Sequence, residues 1–306
     1  MQSEYREGID VAVKVIIGVD VETDIGSFTP FYEGVKKGVP ILLDLFGRLG
    51  VKGTFFFTGD SVKQNPDIAR LVAGSTSEVG CHSLYHETVG DELFPIPGVV
   101  PLLKEEVFLR LKLATEWVEQ YSGVRPVSFR CPRLWGSTEV VNSLEKLGYV
   151  CDASYPMYFY REQFAPYHPS PDDWTKQGSL KLLEIPNFAD MVMESNDPLL
   201  ERDRDQWPLF RTKGAEYMAD KVRGFIKFAE SKGLTAVVCL YIHPWEFIPV
   251  ENSYHFGEAT VIPDDFISQG CGQHAIDELE KLISILKNEN MKFICAKDFA
   301  CENKKC

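Results

Sequence analysis

Apolar and polar positions along the chain follow two alternating rhythms. Runs that are apolar on successive residues, VAVKVIIGVDVE (11–22), GTFFFTG (53–59) and TAVVCLYIHP (235–244), read as strands buried on both faces. Between such runs the apolar residues fall three and four apart, the period of an amphipathic helix. This is the pattern of PILLDLFGRLG (40–50), 103–121, TEVVNSLEKLG (138–148), AEYMADKVRGFIKFAESKG (215–233) and AIDELEKLISILKNEN (275–290). Pro40 at the start and Gly50 at the end punctuate the first of these helices. Further strands are expected at EVGCHS (78–83), VSFRCP (127–132), YVCDAS (149–154), LKLLEIPN (180–187) and KFICA (292–296), with a short helix at PDIARLVAG (66–74).

Repeated strand–helix units imply a parallel sheet. Seven or eight of them, with no Gly/Ser linker, internal repeat or low-complexity run, predict one α/β barrel domain over residues 1–306, with its core at about 11–300. Three long connections, 155–180, 188–213 and 247–272, break the rhythm, and long loops in a compact barrel usually carry function. In a parallel barrel the C-terminal strand ends share one face. The polar residues that close the strands, Asp20, Glu22, His82, Arg130, Asp152 and His243, are therefore expected to converge.

Composition narrows the partners. The 306 residues carry a net charge of −13, which argues against nucleic acid or an anionic membrane as the main partner, though a few local arginines can still bind an anionic small molecule. The polar start, MQSEYREGID, has no basic end followed by an apolar run, and no apolar run reaches membrane-spanning length. Eight irregularly spaced cysteines in such a chain read as reduced core thiols, so a cytoplasmic location is expected. A homo-oligomer is left open.

Four short stretches carry candidate chemistry. In GVDVETD, Asp20 and Glu22 are two apart on a strand and face one side, where two carboxylates repel unless a cation or a proton lies between them. The pair can supply one metal ligand and one base, with the roles open to exchange; alone, it reads equally well as a solvated strand end. In HSLYH, His82 and His86 stand four apart, one turn of helix, so both rings can reach one atom, and neutral imidazole suits zinc. Two histidines and one carboxylate leave open positions on a metal, which favours catalysis over structure. In LYIHPWEF, Pro244 stops the strand and leaves His243 at the barrel mouth. In FRCPRLWG, Arg130 can hold a carboxylate through a bidentate pair, and backbone N–H groups beyond Pro132 can face an oxyanion. A lone histidine or arginine is more often structural than catalytic, so the weight rests on the combination.

Taken in order, VDVE, HSLYH, FRCPR, GYVCDASYP and LYIHPWE resemble the five motifs of the NodB-type polysaccharide deacetylases, carbohydrate esterase family 4, across nearly the whole chain. The resemblance implies a distorted (β/α)₇ barrel, one divalent metal, commonly Zn²⁺, and hydrolysis of an N-acetyl group. It implies Asp20 as catalytic base, with Glu22, His82 and His86 as metal ligands. Arg130 would hold the base, and the Arg133 backbone N–H would hold the oxyanion. Asp152 would support the catalytic histidine, and His243 would act as general acid. Three departures from the usual pattern stand out: a valine separates the two acidic residues of the first motif, the second of them is Glu, and PRLWG stands where a tyrosine commonly follows the proline. The D-V-[DE] form resembles an atypical branch with peptidoglycan-deacetylase-like, allantoinase-like and deformylase-like members.

The implied substrate is an N-acetylated sugar or polysaccharide. The alternative is a formamide or cyclic amide. Trp135 and Trp245 are expected to wall the pocket, and the seven aromatics of 155–174 to face sugar rings, pack as loop core or form a subunit interface. A non-haem iron oxygenase also uses two histidines and a carboxylate, but commonly on antiparallel sheets, against the rhythm here. A binding protein that has lost catalysis is disfavoured because every candidate position holds a competent residue.

Overall fold

The computed structural model describes residues 12–96 and 98–303. The polar start and residue 11, where the first strand was expected to begin, lie outside the described residues. Seven strands form the barrel: β1 (Lys14–Val21), β2 (Thr54–Phe57), β3 (Glu78–Cys81), β4 (Ser128–Phe129), β5 (Cys151–Asp152), β6 (Leu183–Glu184) and β7 (Val237–Ile242). All pair in parallel, β7 and β2 flanking β1 and the rest following in chain order to β6. The Phe188 N–H beyond β6 donates to the Cys239 carbonyl of β7 at 2.8 Å and draws the two edges together. The curled parallel sheet with helices around it is the distorted (β/α)₇ barrel expected from the sequence.

Register fixes where the chemistry emerges. β1 is buried over nearly its whole length, with Asp20 opposite Phe56 of β2 and Val19 opposite Ile242 of β7. Its last residues therefore finish level with Phe57, Cys81 and Ile242, and the next residue of each strand enters one face. Helices Val39–Leu49, Lys104–Ser122, Thr138–Leu147, Ala215–Ser231 and Gln273–Asn288 cover the outside, close to the expected spans. The first ends on Gly50 in the left-handed region (φ 62°), where a residue lacking Cβ is favoured.

The opposite end of the barrel is closed. The short strand β10 (Lys292–Phe293) pairs with the start of β1, and helix Ala296–Glu302 donates its Ala296 and Lys297 N–H groups to Thr54 Oγ1 and Glu78 Oε2, at 2.9 and 3.0 Å. Ile16, Phe56, Cys239 and Phe299 fill the interior above it. The expected loop at 247–272 contains a hairpin, β8 (Tyr254–Phe256) and β9 (Ala259–Val261), which packs on Phe31 through ring contacts of 6.1 and 5.8 Å. The thiol expectation holds in part. Cys81, Cys131, Cys151, Cys239 and Cys295 are buried and unpaired, Cys271 is partly buried, and Cys301 is exposed. No helix among the described residues is long and apolar enough to cross a membrane.

Candidate active site

The site begins with the two acids of the first motif. Asp20 is the penultimate residue of β1 and Glu22 follows its end, so the two-residue period turns both to the barrel mouth. There their environments differ. Asp20 Oδ1 accepts from Arg130 Nη1 at 2.9 Å. Glu22 Oε2 instead lies 2.6 Å from His86 Nε2 and 3.5 Å from His82 Nε2.

Arg130 is fully buried, and its contacts fan out. Nε donates to the Ala153 carbonyl at 2.9 Å, Nη2 donates to Asn187 Oδ1 at 3.1 Å, and the guanidinium sits 4.6 Å from the Phe56 ring centroid. The bidentate grip expected on a carboxylate is therefore a single bond. Space comes from Gly18, where an added Cβ would stand 2.0 Å from Arg130 Nη1.

His82 and His86 do converge, with ring centroids 5.2 Å apart, but not on a helix turn. His82 is the first residue after β3, and the chain then turns through left-handed Ser83 (φ 66°) and His86 (φ 61°). The turn is held because the Ser83 and Leu84 carbonyls accept the Gly59 and Asp60 N–H groups of the first turn of helix Gly59–Gln64, at 2.9 and 2.8 Å. Left-handed non-glycine residues cost on the order of 1–3 kcal/mol each and cluster where function demands a geometry.

The donor set fits a divalent metal. His82 Nδ1 lies 2.8 Å from the Arg130 carbonyl, which only accepts, so in the neutral ring Nδ1 carries the hydrogen and Nε2 presents its lone pair. Burial lowers the His86 pKa, which favours a neutral ring. Glu22 Oε2 is buried with no hydrogen-bond partner, although two imidazole nitrogens face it. Burial alone would raise the Glu22 pKa, but His86, His82 and His243 overcome it and hold the carboxyl well below its usual range. The ligand atoms of Glu22, His82 and His86 all lie within 4.8 Å of one another, and an anionic oxygen among lone pairs calls for a cation at their centre. Imidazole and carboxylate suit zinc and other first-row metals.

His243 follows β7, and a short 3₁₀ turn, Pro244–Phe247, carries the chain away. Its expected carboxylate partner was Asp152, and here the structure differs. Asp152 hydrogen-bonds Ser154 and stands in register with Glu184, on a different part of the sheet. Cys151 and Ala153 face the barrel interior, so the strand period turns Asp152 the other way. The carboxylate at His243 is Glu246. Its Oε1 accepts from His243 Nδ1 at 2.9 Å, from the His243 backbone N–H at 2.8 Å and from Trp207 Nε1 at 3.0 Å, and Arg211 Nε binds the other oxygen. Burial would lower the His243 pKa, but Glu246, with Glu22 and Asp20, raises it above the ordinary value. Glu246 itself is driven down to about 2, because Arg211 and His243 outweigh its burial. A signal for Glu246 was present in the sequence: His–Pro–x–Glu is a capping pattern, with proline at the first helical position and the acid reaching back to the cap N–H. Arg211 and Asn187, in the long connection and beyond β6, had no such signal.

Arg133 lies in the left-handed region (φ 61°) after Pro132, as does Leu134. Leu134 and Trp135 spend their N–H groups within the turn, whereas the Arg133 N–H has no acceptor among the described residues. The Arg133 guanidinium donates to the His86 carbonyl at 3.1 Å and to Thr88 Oγ1 at 3.3 Å. Trp245 lines the pocket and stacks on His243 at 5.4 Å. Trp135 does not line it: its ring is fully buried behind the turn, edge-on to Phe94. Of the seven aromatics in 155–174, Tyr158 reaches the pocket, while Tyr155, Tyr160, Tyr167 and Trp174 pack on one another as loop core. The cavity, about 420 Å³, is walled by all three long connections and by the loops after β1 and β3.

Residues 27–151 match the family model described as polysaccharide deacetylase. Among curated proteins, a peptidoglycan deacetylase-like protein of Gibberella zeae is 24% identical over 61% of this chain and 60% of its own length. A peptidoglycan deacetylase of Helicobacter pylori is 27% identical over 46% of this chain and 44% of its own. The chain thus spans between 44% and 60% of the length of these relatives. Among solved structures, a Mycobacterium smegmatis protein assigned as a polysaccharide deacetylase superposes with a TM-score of 0.62 at 17% identity, over 95% of this chain and 90% of that one. The Puue allantoinase superposes at 0.60 and 14% identity, over 94% and 89%. At these identities the structural likeness establishes the fold.

Proposed function

From the match of residues 27–151 to the polysaccharide deacetylase family model we infer membership of that family, and we propose that the chain is a metal-dependent amide hydrolase, an N-deacetylase of an N-acetylated sugar. The observation that carries this reading is the arrangement at the mouth of β1. Glu22, His82 and His86 converge on one point, while Asp20 beside them is held by Arg130 and left out of the ligand set. This favours Glu22 as the ligand and Asp20 as the base, rather than the exchange the shared strand face allows.

A divalent metal such as zinc, held by Glu22, His82 and His86, supplies Lewis acidity to a carbonyl and lowers the pKa of water. The protein's own groups divide the remaining work. Arg130 engages Oδ1 of Asp20, so Oδ2 is the oxygen without a protein partner, placed to accept a proton from the attacking water. The Arg133 N–H is available to an oxyanion at the pocket wall. Across the pocket, His243 holds a proton for the departing nitrogen. Glu246 fixes its Nδ1 and favours the protonated ring, so Nε2 is the donor. An acid and a base thus coexist because their neighbours differ. Asp152 is not assigned a catalytic role. The unpaired buried thiols suit a reducing compartment, which is the basis for proposing a cytoplasmic location.

The same groups would hydrolyse a formamide or a small cyclic amide, and a pocket enclosed by loops suits a compact substrate. A screen of N-acetyl sugars, N-formyl sugars and cyclic amides, with and without chelator, tests the reading. Chelator-sensitive release of carboxylate from an N-acetyl sugar is expected. Turnover of cyclic amides alone would move the assignment to the alternative, and no amide turnover by the metal-replete protein would refute it.

A further inference from the structure

Of the arginines among the described residues, every one except Arg133 and Arg202 has a carboxylate oxygen within 4.0 Å. Both exceptions line the same pocket. In a chain of net charge −13, carboxylates are plentiful, so two guanidiniums without one in a single cavity are an uncommon outcome. Arg133 is fixed by the His86 carbonyl and Thr88, which are neutral acceptors. Arg202 extends over the Phe94 ring, 4.5 Å from its centroid, and that aromatic platform sets its direction without neutralising it. Asp205 also lines the pocket and feels the Arg202 charge, but its carboxylate accepts from the Tyr241 hydroxyl at 2.5 Å and no Asp205 oxygen lies within 4.0 Å of the Arg202 guanidinium. The pocket volume, about 420 Å³, lies in the ~300–1,000 Å³ range of small-molecule sites. Phe28 and Phe266, half exposed, add apolar surface to its lining.

We infer that the pocket binds a single N-acylated unit bearing an anionic substituent, a carboxylate or a phosphate, with Arg202 and Arg133 as its counter-charges. The inference rests on the amide-hydrolase reading for the reacting end of the ligand and adds the charge of the other end. Arginine suits either anion because its planar fork donates two parallel bonds to carboxylate or phosphate oxygens.

The test is calorimetric binding to the intact protein, with N-acetylglucosamine, N-acetylglucosamine 6-phosphate and N-acetylmuramic acid as probes, and steady-state hydrolysis of the same three. At least one anionic probe is expected to bind about tenfold or more tighter than the neutral sugar, the margin of one charge-assisted pair. Which one does so separates phosphate from carboxylate. Arg202→Gln should lower the ratio of anionic to neutral affinity several-fold, leaving only the part due to Arg133, and Arg202→Lys, which keeps the charge without the fork, should retain more of it than Gln does. Equal or better binding of the neutral sugar, or a ratio unmoved in Arg202→Gln, overturns the inference. Hydrolysis without charge preference would leave the hydrolase reading standing and this one refuted. Charge-selective binding without amide hydrolysis would do the reverse.

Discussion

Replacing Glu246 by Gln probes the groups that decide whether His243 can donate a proton. The change keeps size and removes one charge. In the wild type, buried Glu246 Oε1 bonds the partly buried His243 Nδ1 at 2.9 Å, and burial by itself pushes the imidazole toward neutrality. A hydrogen bond to a charged group is worth ~1.5–3 kcal/mol. Its loss should lower the His243 pKa. The sign follows directly: the raised histidine pKa sets the alkaline limb of activity, so the limb should move to lower pH. Turnover of amides above that limb should fall ~10–100-fold, with recovery as the pH is lowered. The assay is a kcat/KM profile for an N-acetyl substrate, with metal content measured on the same samples. Arg211 would be left as a buried, unpaired charge, which costs ~3–5 kcal/mol and threatens the fold. The double variant Glu246→Gln/Arg211→Met removes that charge as well. It should regain stability while keeping the displaced limb. A folded, metal-replete protein of either kind with an unmoved alkaline limb would refute the reasoning.

Asp20→Asn should retain metal and lose turnover, whereas Glu22→Gln should lose metal; the opposite pattern by metal analysis would exchange their roles. His243→Ala should lower amide turnover by ~10²–10⁴ with metal content unchanged, and less for activated esters, whose leaving groups need no proton. Gly18→Ala places a Cβ 2.0 Å from Arg130 Nη1, so Arg130 must leave Asp20, and activity should fall by more than melting temperature alone accounts for. Burial raises the Asp152 pKa to about 6 and, with Asp152 beside it, lifts Glu184 well above its usual range. Acids raised on folding favour the native state at low pH and lose that contribution as pH rises through the folded values. Glu184→Gln should therefore flatten the decline of melting temperature as pH rises above about 4, and an unchanged slope would contradict the raised Glu184 pKa.

Much of this was legible in the chain, because barrel strands and surface helices have distinct periods. The strand carrying Asp20 and Glu22, the Pro40 and Gly50 boundaries, and the shared face of these acids with His82 follow from local pattern plus parallel register, whereas the choice of Glu22 over Asp20 beside the two histidines came from the resemblance. Three things were not legible. The HSLYH segment reads as a helix turn by spacing, yet its contacts with the Gly59 and Asp60 N–H groups bend it into a left-handed loop. The partner of His243 was assigned by resemblance to Asp152, while register faces that residue away from the interior and local capping supplies Glu246. Trp135 sits beside a motif but is buried behind the turn it follows. Sequence neighbourhood does not encode which face of a loop meets the cavity. The pocket charge was illegible for the same reason: Arg202 is one of many charged residues in a long connection until the fold leaves it without a carboxylate.

The central claim is that a metal at Glu22, His82 and His86 is required for amide hydrolysis. Its most direct test removes the metal with a chelator, measures metal content, and follows carboxylate release from an N-acetyl sugar before and after adding back one equivalent of Zn²⁺. The expected result is loss of activity on removal, recovery at a stoichiometry of about one, and neither metal uptake nor recovery in His82→Ala. Undiminished hydrolysis by the metal-free protein, or full metal retention by folded His82→Ala, would contradict it.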